Sequence, residues 1–196
     1  MTSFTIITSI LNTDVKKVIN CFNSIREQKY QNFEYIVVDG GSNNMLINLY
    51  SENKDIITTL IIEKDEGIYD AWNKGIKVAK NDWICFLGAD DTMKSDALLN
   101  YNNFIVKNQN LEFVSSKIIL INKKNKKRTI GQNWNWDKFS RYMNISHPGS
   151  MHSKKLFKNN SFNTKYKIAG DYEFLLRIGK NLKAGFINKV TVEMSS

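Results

Sequence analysis

Four short apolar runs, separated by helical patterns and closed by turns rich in acids, constrain this chain more than any other feature. Phe4 to Ile10 is a β-branched run, and Thr13-Asp14 caps a helix whose apolar residues Val15, Val18, Ile19, Phe22 and Ile25 fall three or four apart. Tyr35-Ile36-Val37-Val38 repeats the strand signal, and Asp39-Gly40-Gly41-Ser42 ends it with residues that make a tight turn and cap a following helix. Thr59 to Ile62 is a third strand. Ile68, Ala71, Trp72, Gly75, Ile76 and Ala79 share one helical face, and Trp83 to Leu87 makes a fourth strand ending at Gly88-Ala89-Asp90-Asp91. Continuous apolar strands alternating with helices predict an α/β fold, its mostly parallel central sheet flanked by helices. Such sheets hold ligands beyond the carboxyl ends of their strands, where the Asp39 and Asp90-Asp91 turns sit.

Past a helix predicted near Ser95 to Lys107 the texture changes. Phe113 to Asn122 and Lys127 to Ile130 flank the basic turn Lys123-Lys124-Asn125-Lys126 as a hairpin. Trp134, Trp136, Phe139 and Tyr142 crowd the next stretch, Pro148 follows His147, and a last helix near Asp171 to Asn181 leads into a terminal strand, Phe186 to Met194. No linker, repeat or low-complexity tract interrupts the 196 residues. They read as one domain, a nucleotide-binding half (1–110) fused to a smaller mixed half (111–196). With 42% hydrophobic and 24% charged residues, neither disorder nor a fibrous repeat fits.

Lys and Arg outnumber Asp and Glu by 28 to 19, and the resulting +9 attracts something anionic: nucleic acid, a phospholipid surface or a phosphorylated substrate. Cys21 and Cys85 lie in apolar stretches, as small buried hydrophobes do, and offer neither a disulfide framework nor a zinc site. Met1 to Ile10 reads as a first strand and not as a signal peptide, and the longest apolar runs fall short of the roughly 18 to 20 residues of a membrane span. Cytoplasmic residence is the expectation, with membrane contact only at the surface.

Against this basic background, three acidic sites punctuate the strand ends: Asp39, Asp65-Glu66 and Asp90-Asp91. Adjacent aspartates repel unless a cation, a hydrogen-bond donor or open water offsets them, and Mg²⁺ or Mn²⁺ takes carboxylate oxygens together with substrate phosphates. A solvated turn capping the helix near Ser95 is the alternative for Asp90-Asp91.

Four blocks stand in order: Phe4-Thr5-Ile6-Ile7-Thr8, then Val37-Val38-Asp39-Gly40-Gly41-Ser42, then Asp65-Glu66-Gly67-Ile68-Tyr69-Asp70-Ala71-Trp72-Asn73-Lys74-Gly75, then Leu87-Gly88-Ala89-Asp90-Asp91. Together they resemble the family 2 glycosyltransferases, inverting nucleotide-sugar enzymes with a GT-A fold, in the branch that builds bacterial surface polysaccharides. The resemblance implies transfer of a sugar from a nucleotide donor, through uridine diphosphate, to a glycan or polyprenyl-diphosphate-linked acceptor, at the inner face of the cell membrane.

Residue by residue, the resemblance puts Thr8 and Asp39 at the base and ribose, and Asp65 at another donor contact. Asp90 and Asp91 match the metal motif, with Asp91 the direct ligand of Mn²⁺ or Mg²⁺ and Asp90 nearer the ribose and diphosphate. Many members carry a further acid where this chain has Gly88. Ile168-Ala169-Gly170-Asp171-Tyr172-Glu173-Phe174-Leu175-Leu176-Arg177 matches the base motif and makes Asp171 the catalytic base, although many relatives carry an acid at the place of Gly170. The alternative for Asp171 is a helix cap. His147 falls where relatives place a histidine, which contacts diphosphate or acceptor unless backbone groups in a turn satisfy it.

The aromatics from Trp134 to Tyr142 form either a sugar platform or packing beneath a loop. The basic hairpin tip is either solvated or set against anionic lipid. Two other functional classes compete. A nucleic-acid-binding module suits the charge, but acids at the strand ends repel a polyanion and no nucleic-acid motif is present, so nucleic acid is not an expected partner. A catalytically idle sugar-nucleotide binder is favoured by the stop at Ser196, since family members continue further past the base helix.

Overall fold

The computed structural model describes residues 1–195. In chain order the first half (residues 1–110) comprises β1 (Phe4–Ile10), α1 (Val15–Arg26), β2 (Phe33–Asp39), α2 (Asn44–Glu52), β3 (Thr59–Ile62), α3 (Ile68–Val78), β4 (Trp83–Phe86), β5 (Thr92–Met93) and α4 (Ala97–Lys107). The second half comprises β6 (Phe113–Ile121), β7 (Lys127–Ile130), α5 (Trp136–Phe139), β8 (Ser150–Ser153), α6 (Gly170–Ile178) and β9 (Ala184–Ser195). Short 3₁₀ turns at His147–Gly149 and Lys154–Phe157 flank β8.

The strands join one sheet in the order β3-β2-β1-β4-β8-β6-β9-β5, with β7 paired to β6. From β3 to β4 every pairing is parallel, as the alternating pattern requires, because each crossover is a helix. Beyond β4 the sheet becomes mixed: β8 runs antiparallel to both β4 and β6, whereas β9 runs parallel to β6 and antiparallel to β5. The expected hairpin is β6–β7. Its tip is held by Asn122, whose side chain accepts bonds from the amides of Lys124 and Lys126.

Strand alternation divides the interior into two layers. Phe4 and Ile6 of β1 point with Tyr35 and Val37 toward Val18, Phe22 and Ile25 of α1. Ile7, Ile36 and Val38 point the other way, to Trp72 of α3 and to Phe86, Phe162 and Phe174. The Asp14 side chain starts α1 by accepting from the amides of Lys16 and Lys17, the predicted cap. Ile19 and Ile68, predicted on apolar helix faces, lie on their margins and stay partly exposed. Cys21 and Cys85 are free and buried, and burial pushes both thiols up to about 12, so neither is a nucleophile. Among the described residues no helix is long and apolar enough to cross a membrane.

Candidate active site

The carboxyl ends of β1, β2, β3 and β4 lie side by side, because these strands are parallel neighbours. The acidic turns therefore gather along one edge of the sheet. Asp39 ends β2 with no solvent exposure. Its Oδ1 accepts from the amides of Gly41 (2.8 Å) and Ser42 (2.6 Å), and its Oδ2 accepts from the Tyr50 hydroxyl of α2. A carboxylate so engaged organises the turn itself. Asp65, beyond β3, lies over Gly40, where any Cβ would collide with its carboxylate, so the turns after β2 and β3 touch. Its Oδ1 accepts from the Gly67 amide at 2.9 Å.

Thr8 was expected at the base but shows no exposure, and its hydroxyl, which has no hydrogen-bond partner among the described residues, lies in the packed layer of β1. In this conformation neither Thr8 nor Asp39 presents a side chain to a ligand: strand parity sends Thr8 inward, and the turn amides and Tyr50 occupy Asp39.

The pair after β4 is divided by burial. Asp90 keeps a side chain 39% exposed, 3.4 Å from Lys17 Nζ on α1. Asp91 is 3% exposed, and its Oδ1 accepts from the Ser195 amide at 3.1 Å. Burial, then the neighbouring Asp90 charge, pushes the Asp91 carboxyl up to about 7. The open carboxylate is thus that of Asp90, and the inner one is that of Asp91, the reverse of the accessibility their expected roles require. Gly88 lies against this pair: a Cβ there would be 2.6 Å from Asp91 Oδ2. Asp91 fills the space that a side chain at 88 would need.

The fit to a divalent cation follows from this donor set. Among the described residues no group of three or more His, Cys, Asp or Glu side chains gathers to hold an ion. Two adjacent carboxylates, one open and one inward, suit Mg²⁺ or Mn²⁺ shared with phosphate oxygens, since such ions commonly take one or two carboxylates plus substrate phosphates.

Asp171 comes to this edge from the second half. It is not a cap. Ala169 occupies the N-cap position of α6 in a left-handed conformation with no side-chain capping bond, and Asp171 sits in the first turn, half-buried. Tyr69, on the first turn of α3, donates to Asp171 Oδ1 at 3.1 Å. Burial and the Asp171 charge push that phenol up to about 12, so it stays a donor. Gly170 makes the approach possible, for a Cβ there would lie 2.7 Å from the Tyr69 ring. Lys167 Nζ meanwhile bonds the Glu66 carbonyl, tying the same two loops together. The loop between β3 and α3 is therefore shared, with Asp65 turned to the strand-end acids and Tyr69 turned to Asp171.

His147 is 5% exposed and lies near-parallel to both Trp72 (5.1 Å) and Phe86 (5.7 Å), which also touch each other (4.6 Å), beside His152 (5.0 Å). Its Nε2 has no partner among the described residues, and burial lowers its pKa, opposed by the Asp171 charge. It belongs to the aromatic layer beneath the site. Phe139 is fully buried with Trp134 against it (4.5 Å), while Tyr142 is exposed, so this group packs under a loop as its first-named members allowed. Lys74 and Arg177 are engaged locally, with Asp70 and Glu63 and with Glu173. Tyr50, Tyr69 and His152 were not singled out from the sequence. The only signal for Tyr69 was its position between Asp65 and Trp72 in the most distinctive block.

The sequence model of Glycosyl transferase family 2 matches residues 5–174, nearly the whole chain. The chain belongs to that family. A PGL/p-HBAD biosynthesis glycosyltransferase from Mycobacterium bovis is 29% identical over 170 residues, which are 82% of this chain and 64% of the relative. Glycosyltransferase GlyG of Streptococcus pneumoniae is 31% identical over 96 residues, 47% of this chain and 32% of that protein. This family 2 chain thus spans less than two thirds of the curated relatives it matches. Among solved structures, S. aureus TarS 1-349 in complex with UDP-GlcNAc superposes with a TM-score of 0.83 at 18% identity, covering 99% of this chain and 58% of TarS. Mannosyltransferase PcManGT from Pyrobaculum calidifontis in complex with GDP-Man and Mn²⁺ gives 0.72 at 17% identity, covering 98% and 56%. The family 2 chain has the GT-A fold that the sequence led one to expect.

Proposed function

We propose that this chain is a metal-dependent inverting glycosyltransferase that moves a sugar from a nucleotide donor, linked through uridine diphosphate, to a glycan or lipid-linked acceptor in cell-surface polysaccharide synthesis in the cytoplasm. The observation that carries the reading is the shared segment from Asp65 to Tyr69 at the β3–α3 junction, which brings Asp171 to the edge where the acidic turns after the parallel strands β2, β3 and β4 gather. Family membership and the TarS complex with UDP-GlcNAc support the donor class.

Asp39 shapes the turn that receives the nucleoside, through the Gly41 and Ser42 amides, and Asp65 braces it from β3. Asp90 and Asp91 would hold the divalent cation, which when bound neutralises charge growing on the departing diphosphate. Asp171 accepts the proton of the acceptor hydroxyl as that oxygen attacks the anomeric carbon from the face opposite the leaving group, which inverts the centre. Tyr69 fixes Asp171 Oδ1 and so leaves the second oxygen to meet the acceptor.

The test pairs binding with transfer. Thermal shifts with uridine and guanosine diphosphates and their sugars, with and without Mn²⁺, are expected to favour the uridine series and to grow with metal, since a ligand of the folded state raises its stability. Asp171→Asn is expected to cut transfer by roughly 10²-fold or more while leaving those shifts intact. Equal transfer by parent and variant removes Asp171 from the mechanism and favours an idle binder.

A further inference from the structure

A cavity among the described residues lies apart from these acids. Its volume is about 690 Å³, within the size range of ligand pockets, and it is built at the amino-terminal edge of the sheet. Thr2 precedes β1, Asp82 and Trp83 begin β4, Leu111 precedes β6, and Ser153 to Lys158 follow the antiparallel β8. The donor edge is at the opposite ends of the same strands.

The groove is amphipathic by construction. Its walls are Ile76, Trp83, Ile105, Leu111 and Phe157, contributed by separate elements. Its rim carries Lys77, Lys154, Lys155 and Lys158 against the single acid Asp82, which accepts a hydrogen bond from Ser3 Oγ. Lys154 Nζ is fixed on the Ala79 carbonyl beyond α3 at 2.6 Å. Among the described residues Lys77, Lys155 and Lys158 have no carboxylate within 4 Å. Three exposed lysines without an ion pair within 4 Å leave cationic charge above the apolar floor of the groove. They complement a ligand with a hydrocarbon body and an anionic head.

We propose that this groove takes an acyl chain of an acidic phospholipid, with the lysine rim on its phosphate-bearing headgroup. The occupant is chosen by charge complementarity: apolar walls suit a hydrocarbon chain and the lysines around them suit a phosphate. The site is independent of the donor chemistry, because it shares no residue with the acidic turns. A molecule held in this way sits on a membrane by the amino-terminal ends of its strands and turns the donor edge toward the aqueous side.

The test uses the whole chain and vesicles of phosphatidylcholine, with and without phosphatidylglycerol carrying brominated acyl chains. Bromine quenches nearby tryptophan, and of the four tryptophans Trp83 lines the groove whereas Trp72, Trp134 and Trp136 do not. Expected is quenching only with the acidic lipid, its loss in Trp83→Phe, and a roughly tenfold or greater weakening in the double variant Lys155→Glu/Lys158→Glu, since each cation near an anionic surface contributes about 1 kcal/mol. Lys123→Glu/Lys124→Glu/Lys126→Glu, on the hairpin at the other edge, is expected to leave the quenching of Trp83 in place. Because Trp83 begins a core strand, the two surface lysines provide the variant whose folding is secure. Quenching that survives Trp83→Phe overturns the proposal, as does binding lost in the hairpin variant but kept in the groove variant. So does a lipid-free dimer in sedimentation that the groove variant dissolves, for then a second copy is the occupant.

Discussion

The two halves of this molecule each hold a carboxylate ready, by different means. In residues 1–110 the acids stand at the ends of parallel strands and are satisfied close to home: Asp39 by its own turn, Asp65 by the Gly67 amide. In residues 111–195 Asp171 stands on a helix entered through a left-handed Ala169, and its partner, Tyr69, comes from the other half. Both halves carry a glycine beside the key acid, and in both a neighbour occupies the space a side chain there would need, Asp91 over Gly88 and the Tyr69 ring over Gly170. The first arrangement is built by topology, and the second by packing. Changes to the aromatic layer should therefore disable Asp171 before they disturb the donor edge.

The strongest way to break that contrast is to hollow the layer. Phe174 is fully buried on α6, stacks on Phe157 (5.0 Å) and meets Phe162 at a tilt (4.9 Å). Phe174→Ala is expected to cost about 3–5 kcal/mol in denaturant unfolding and to lower transfer more than it lowers nucleotide affinity. Equal losses in both would mean that the halves are not distinct. Gly170→Ala is the next largest. Its methyl must displace the Tyr69 ring, at an expected cost of about 1–3 kcal/mol, with transfer falling while metal-dependent donor binding holds.

A pH titration sharpens the comparison further. His152 is fully buried among Phe86, Phe113, Phe157 and Phe174, and burial, with His147 adding to it, pushes its pKa well below the ordinary 6.5. Below that value the unfolded chain takes up a proton that the folded chain refuses, so stability is intact above about pH 6.5 and falls as the solution is acidified toward the folded value. His152→Phe should flatten this acid limb in unfolding curves, and an unchanged limb would clear the histidine. The smallest effect belongs to the donor edge: Lys17→Ala removes a half-exposed ion pair with Asp90, 3.4 Å long, and should change stability by less than about 1 kcal/mol.

What could be read from the residues follows the same division. The order of β1 to β4, the helices between them and the acids at their ends were legible, because period and turn chemistry are local and a parallel sheet brings those ends together. The hairpin from Phe113 to Ile130 was legible for the same reason. The aspartate pair was legible as a site but not in its geometry, since which carboxylate lies inward is decided by Ser195, 104 residues away. Tyr69 on Asp171, Tyr50 on Asp39 and His147 against Trp72 and Phe86 are contacts between separate elements, and no spacing within one element encodes them. The groove at the amino-terminal edge was equally hidden, for its walls come from elements that periodicity assigns only to the core.

The strand β9 is wedged between β6 and β5, and β5 has no other strand neighbour. A chain emerging from the ribosome completes its first four strands early, yet Asp91 gains its amide partner only after another 104 residues have been translated. Pairings this remote in sequence form late because the long loop must first be closed. The acidic edge is thus finished only when a strand 104 residues later in the chain is in place, so a nascent chain that has not reached β9 carries Asp90 and Asp91 without the strand that engages Asp91.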